Sequence, residues 1–193
     1  MKFSNRYFIM RHGLSEANRD GLICSAPAAG ISTCGLTEEG RRQAGDAVKG
    51  RGEFDENTVI YSSDFLRARQ TAEAVSAITG SRWLNFTPLL RERFFGDFES
   101  LDQRHYATVW ENDRGDPHNR KHNVESPEQV KARVCALIDQ CEKSHQGQTI
   151  LLVSHGDTLQ ILYTVWRGHS PDRHREIPPI RNGDIILLEE SDN

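Results

Sequence analysis

A doubly wound α/β domain is predicted for this chain by three observations. Short apolar runs alternate along the sequence with segments of helical periodicity. One of those runs, Thr149-Ile150-Leu151-Leu152-Val153, shows no polar alternation, as expected of a parallel strand covered on both faces. Several helical segments open on recognisable caps and close on glycine.

Taken in order, Tyr7 to Met10 is the first strand, and it hands Arg11, His12 and Gly13 to its carboxyl end. Residues 19–35 read as a small-residue loop broken by Gly21, Pro27, Gly30 and Gly35. Thr37 caps a helix whose first turn carries Glu38 and Glu39, which suit the positive end of the helix dipole; it runs to about Lys49 and closes at Gly50. Thr58 to Ser62 is a second strand, rich in β-branched and aromatic residues. Ser63 caps a helix from Asp64 to about Thr79, with Phe65, Ala68, Ala72 and Val75 on its buried face and Gly80 at its end. Arg82 to Phe86 is a third strand, stopped by Pro88. Ser126, Pro127 and Gln129 are the cap, first position and capping-box partner of a helix with the stripe Val130, Val134, Leu137, Ile138 and Cys141. After Thr149–Val153 comes a helix from Thr158 to Trp166, and Asp184 to Leu188 is a last strand beyond the Asn182-Gly183 turn.

The length suits one domain spanning residues 1–193, with no internal repeat or linker. Residues 111–125 are polar and read as a surface excursion. A formal net charge of −4 shows no basic excess that would ask for nucleic acid. No stretch approaches the ~18 apolar residues of a membrane span. The first six residues lack a signal-peptide core, so a cytoplasmic location and no membrane partner are expected. No oligomeric state is implied. Cys24, Cys34, Cys135 and Cys141 lack paired spacing; reduced thiols are the default, with a lone disulfide left open.

Four stretches carry chemistry. Arg11-His12-Gly13 follows the first strand, and Ser154-His155-Gly156 repeats the pattern after the strand Thr149–Val153. The stretch Ser63 to Ala72 places Arg67 in the first turn of a helix. Leu90 to Glu99 sets a carboxylate among apolar and aromatic neighbours; Glu92, Asp97 and Glu99 compete for that role. Carboxyl ends of parallel strands are where open α/β folds place their sites. Arginines can neutralise phosphoryl oxygens, neutral imidazole can attack in line, and a carboxylic acid can protonate the leaving oxygen. Two histidines, two arginines and one carboxylate therefore suffice for phosphoryl transfer without a metal. Gly13 is read as letting the backbone approach whatever is bound.

With these four motifs in this order from Tyr7 to about Leu162, the chain resembles the histidine phosphatase (phosphoglycerate mutase-like) superfamily. The resemblance implies a three-layer sandwich, a mostly parallel sheet with helices on both faces. It makes His12 the phospho-accepting nucleophile, with Arg11, Arg67 and His155 forming the phosphate pocket. Glu92 becomes the proton donor, and Asn18 and the backbone at Gly156 help hold the phosphoryl group. No cofactor and no metal are implied.

Within the family the pattern is closest to the intracellular branch. The secreted phosphatases follow Arg-His-Gly with x-Arg-x-Pro, where this chain has Leu14-Ser15-Glu16-Ala17. Glycolytic mutases carry Glu-Arg-His-Tyr-Gly at the acid and Thr/Ser-Gly-Trp near the first loop. Here Glu92-Arg93-Phe94-Phe95-Gly96 and Cys24-Ser25-Ala26 stand instead, and phenyl rings cannot grip substrate through hydrogen bonds. Ser100 occupies a position where the phosphatase members usually have glycine. The expected activity is thus hydrolysis of a small phosphorylated metabolite, a sugar phosphate or similar, through phosphohistidine. The alternatives are a cofactor-dependent phosphoglycerate mutase, a phosphoprotein phosphatase, and an inactive phosphate-binding protein. His118 and His122 have metal-pair spacing but lie in a loop context, so exposed histidines are expected. The cations of 167–176 are read as solvated surface or as a rim attracting a second acidic group on the substrate.

Overall fold

The computed structural model describes residues 3–189; of the expected domain 1–193, residues 1, 2 and 190–193 lie outside the described residues. Five strands form one sheet in the order β3-β2-β4-β1-β5, where β1 is Arg6–Arg11, β2 is Val59–Ser63, β3 is Trp83–Thr87, β4 is Thr149–Ser154 and β5 is Ile185–Leu187. The first four are mutually parallel, and β5 runs antiparallel along β1.

Alternation along the central strands sends side chains to two cores. Tyr7, Ile9, Ile150 and Leu152 pack against α6 (Pro127–Ser144) and α7 (Gly156–Trp166) through Val130, Val134, Leu137, Leu159 and Leu162. Phe8, Met10, Ile60, Leu151 and Val153 pack on the other face against Ala44 of α3 (Glu38–Asp46) and Ala68, Ala72 and Val75 of α4 (Leu66–Thr79). The sandwich with helices on both faces is therefore present, and both predicted helix stripes are buried. Single methylenes matter in such interiors, because packing density approaches that of organic crystals.

The expected caps act where they were placed. Ser126 Oγ accepts from Gln129 N, and Gln129 Oε1 accepts from Ser126 N, a complete capping box. Thr37 Oγ1 accepts from Gly40 N. Boundaries differ where the tertiary structure has another use for a residue. Ser63 does not cap α4: it ends β2, its Oγ meets His155 Nε2 at 2.9 Å, and the helix starts at Leu66. The segment 19–35 is not all loop, since α1 (Glu16–Asp20) and α2 (Pro27–Gly30) are short helices, α1 opened by its own capping box from Ser15 and Asn18. The helix opening at Glu38 stops at Asp46 rather than Lys49. The last helix begins at Gly156, two residues before the expected Thr158, with His155 as its N-cap.

The polar excursion is anchored rather than solvated throughout. A helix absent from the sequence reading, α5 (Tyr106–Asp113), precedes it, and Asp113 and Asn119 are buried. The reason is an ion pair: Arg93, fully buried, makes a bidentate contact to Asp113 at 2.6 and 2.8 Å, and Asn119 Nδ2 adds a bond to the same carboxylate at 2.8 Å. A buried charge without such partners would cost several kcal/mol. Together with a small core of Ile23, Phe95, Phe98, Val109 and Val124, this ties the excursion to the rest of the chain. Ser100 sits there with φ +64°, the left-handed region that favours glycine, so the family preference at this position has a backbone cause. All four cysteines are free thiols.

Candidate active site

The parallel pairing of β1 and β4 sets Arg11 opposite Ser154. The residues that follow, His12 and His155, therefore leave the sheet side by side, with ring centroids 5.0 Å apart. Both are buried. His12 Nδ1 lies 2.7 Å from its neighbour's carbonyl, Gly13 O, so Nδ1 carries the proton and Nε2 carries the lone pair. Arg67 Nε donates to that Nε2 at 3.1 Å. Arg67 is itself fixed through Nη2 to Cys24 O at 2.8 Å. Arg11 is fixed through Nη1 to Ile180 O at 2.8 Å, while its Nε is buried with no hydrogen-bond partner among the described residues. His155 Nδ1 is likewise unpartnered. Orphaned buried donors are rare in proteins, and the Arg11 Nε–H in the cleft suits a site that receives an anion.

Burial, reinforced by the charges of Arg67 and Arg11, holds His12 well below the ordinary histidine value of 6.5. Burial and Arg67 do the same to His155. Both rings are thus neutral near pH 7. Linkage makes this a stability statement. The unfolded chain takes up protons near pH 6.5 and the folded site does not, so stability is full above that value. It is lost as pH falls toward the lowered folded values, by up to about 1.4 kcal/mol per pH unit for each histidine. Urea unfolding between about pH 7.5 and about pH 5.5 should show this slope. The double variant His12→Asn/His155→Asn should flatten it, and an unchanged slope would show that other groups set it.

Glu92 shares the cleft, which has a volume of about 210 Å³. Its Oε1 accepts from Arg93 N at 3.0 Å and from Thr158 N at 3.2 Å in the first turn of α7. Burial and the nearby charge of Asp157 push its pKa up, against the pull of Arg67 and Arg11. The rival carboxylates are elsewhere: Glu99 bonds Ser25, and Asp97 bonds Asn123 at an exposed position. Asn18 lines the cleft, with Oδ1 occupied by Ser15 Oγ at 3.0 Å and Asn182 Nδ2 at 3.2 Å, which leaves its amide N–H groups as the donors for a ligand. Gly156 lines it too, at the amino end of α7, and an added Cβ would come within 3.4 Å of the Arg11 guanidinium.

The structure thus brings His12, Arg11, Arg67, Glu92, Asn18 and Gly156 into one cleft, with His155 packed behind His12. Other expectations are corrected. Gly13 serves packing rather than ligand approach: a Cβ there would stand 2.2 Å from Gly40 O on α3. Of the two phenyl rings after Glu92, Phe95 faces the cleft, whereas Phe94 lines a neighbouring groove with Pro27 and Pro88. The cationic stretch 167–176 is not a uniform solvated rim. His174 is fully buried, Arg173 pairs with Glu176, and Arg175 lines the cleft. His118 and His122 are exposed, and no group of three or more potential metal ligands occurs among the described residues. Asp157, Asn182, Gln160, Tyr106 and Trp110 are cleft or support residues that sequence reasoning missed, because no local pattern marks them.

A sequence model of the histidine phosphatase superfamily (branch 1) matches residues 7–193. The 2,3-bisphosphoglycerate-dependent phosphoglycerate mutase of Bartonella henselae is 30% identical over 173 residues, which is 83% of this chain and 80% of that protein. The metal-independent phosphoserine phosphatase of Arabidopsis thaliana is 26% identical over 161 residues, 80% of this chain and 66% of that protein. The crystal structure of the alpha-ribazole phosphatase from Shigella flexneri superposes with a TM-score of 0.70 at 26% identity, over 93% of this chain and 88% of that one. No helix among the described residues is long and apolar enough to cross a membrane. With these likenesses over nearly the whole chain, and with a strand-end site of paired histidines and arginines, the chain belongs to the histidine phosphatase superfamily (branch 1) and is a phosphatase.

Proposed function

We propose that the protein is a metal-independent phosphomonoesterase acting on a small phosphorylated metabolite through a phosphohistidine at His12. The observation that carries this is the His12 imidazole: neutral, protonated at Nδ1, with Nε2 turned to Arg67 in the cleft that holds Glu92. Nε2 attacks phosphorus and the bond to the leaving oxygen breaks, while the Glu92 carboxyl gives that oxygen its proton. Arg11, Arg67, the amide of Asn18 and the backbone at Gly156 hold the phosphoryl oxygens, and the arginines supply the charge a metal would otherwise provide. His155, held by Ser63, packs edge-on against His12 from behind and lines it up. In the second step Glu92, now a carboxylate, takes a proton from water. The oxygen bonds to phosphorus and His12 leaves, which restores both groups.

Relatives carry both mutase and phosphatase names, so the decisive measurement compares the two outcomes. Phosphate release from alkyl phosphomonoesters should persist after exhaustive chelation and should greatly exceed interconversion of 2- and 3-phosphoglycerate. Mutase turnover that outpaces hydrolysis, or activity lost on chelation and restored by Mg²⁺, would overturn the reading.

A further inference from the structure

Beyond the groups assigned to phosphoryl transfer, the cleft is walled by Gln103, Tyr106, Trp110, Gln160 and Arg175. Arg175 is the cation among them, and its charge is already answered. Its guanidinium lies 3.6 Å from the Trp110 ring centroid, donates to Gln160 Oε1 and stands 3.6 Å from Asp157 Oδ1. Asp157 also contacts Arg93, which holds Asp113, and the buried His174 Nε2 lies 3.6 Å from Asp157 Oδ2, so Arg175 belongs to a closed cluster of Arg93, Asp113, Asp157 and His174. A second anion on the substrate would have to compete with Asp157 for Arg175, in a cleft where burial makes that competition costly.

Tyr106 differs from the rest of this wall. Its ring is clamped parallel to Trp110, 5.4 Å apart and 11° from coplanar, and edge-on to Phe95 at 4.6 Å. Trp110 is itself tied through Nε1 to Asp157 at 3.0 Å. The Tyr106 hydroxyl, at the end of this rigid arm, has no hydrogen-bond partner among the described residues. Burial and the charges of Glu92 and Asp157 push its pKa above the ordinary value of 10, so near neutral pH it remains a donor. Phe95 and Phe94 have no hydroxyl to offer, and α5 brings one to the same cleft from another part of the chain.

We propose that Tyr106 donates a hydrogen bond to a hydroxyl of the leaving group, and that the preferred substrates are monophosphates of uncharged polyols rather than phosphates carrying a second anionic group. The inference rests on the phosphatase reading above and narrows its substrate class. It is tested with Tyr106→Phe, which keeps the ring stack. The kcat/KM ratio of glycerol 1-phosphate to p-nitrophenyl phosphate should fall about five- to tenfold, since one hydrogen bond is worth roughly 1 kcal/mol. An unchanged ratio would remove the contact. A binding readout keeps the two readings apart. In the His12→Asn background, calorimetric titration with glycerol 1-phosphate should show Kd weakened by a similar factor on adding Tyr106→Phe. Without that substitution, glycerol 1-phosphate should bind more tightly than 3-phosphoglycerate. Tighter binding of 3-phosphoglycerate would overturn the substrate class. If neither ester is hydrolysed by the unmodified protein but the binding difference persists, the phosphatase reading fails and the Tyr106 contact stands.

Discussion

His12→Ala is expected to lower turnover on any phosphomonoester by on the order of 10⁴-fold or more, the scale seen when a nucleophile is deleted from a preorganised site. The proposed chemistry leaves no substitute. Nε2 of His12 is the lone pair that Arg67 Nε faces, and His155 has its own Nε2 turned to Ser63. The intermediate is a phosphoramidate, labile in acid and stable in base. Labelled substrate quenched without acid should therefore leave label on His12 in the unmodified protein and none in the variant. His12→Asn, closer in polarity, checks that loss of activity is not loss of fold. Label on serine or aspartate, or substantial activity in either variant, would sink the mechanism.

The second large effect concerns the acid. General acid catalysis contributes ~10²–10⁴-fold, and it matters most for poor leaving groups. Glu92→Gln should slow the pre-steady-state burst with an alkyl phosphate by about that amount and the burst with p-nitrophenyl phosphate far less. Glutamine is a fitting probe, because its carbonyl oxygen can keep the bonds that Oε1 accepts from Arg93 N and Thr158 N. The sign of the pH dependence follows from the raised pKa of Glu92. The protonated acid persists above the usual carboxylate range and is lost as pH rises through the raised value. The alkyl phosphate burst should then decline on that alkaline limb and the aryl phosphate burst should not. His12, held neutral by burial, contributes no loss of nucleophile until pH falls well below 6.5. Bursts are needed because Glu92 also activates water in the second step. Equal slowing for both leaving groups would move the acid elsewhere. Asp97 and Glu99 are poorly placed to take over, being bonded to Asn123 and to Ser25 outside the cleft.

Much of the fold was legible because its signals are local. Ser126-Pro127-Glu128-Gln129 closes a capping box within four residues, and Val130, Val134, Leu137, Ile138 and Cys141 need only helical periodicity to share a face. The run Ile150 to Val153 is apolar on both sides because helices cover both sides. What escaped has a weak local signal or none. Helix α5 lacks a side-chain cap, and its apolar stripe of Tyr106, Val109 and Trp110 spans little more than one turn, too short to be read as helical periodicity. The short helices α1 and α2 fall below the length at which periodicity can be read. The early start of α7 follows from Glu92, a distant carboxylate that accepts from its first turn.

The residue types at the site, and the strand ends that carry them, were determined by the sequence itself, because a chain leaving a buried strand must present its polar groups at the rim. His12, Arg11, Arg67, His155 and Glu92 all come from such positions or from the turns beside them. Their protonation was decided by tertiary structure. The tautomer of His12 follows from the adjacent Gly13 O, a local contact, whereas its depressed pKa depends on burial and on the guanidinium of Arg67 brought in by α4. The outer wall of the cleft depends on Arg93, Asp113 and Asp157, far apart in the chain and joined in one buried cluster. Desolvation and Coulomb forces act through space, and sequence separation carries no trace of them.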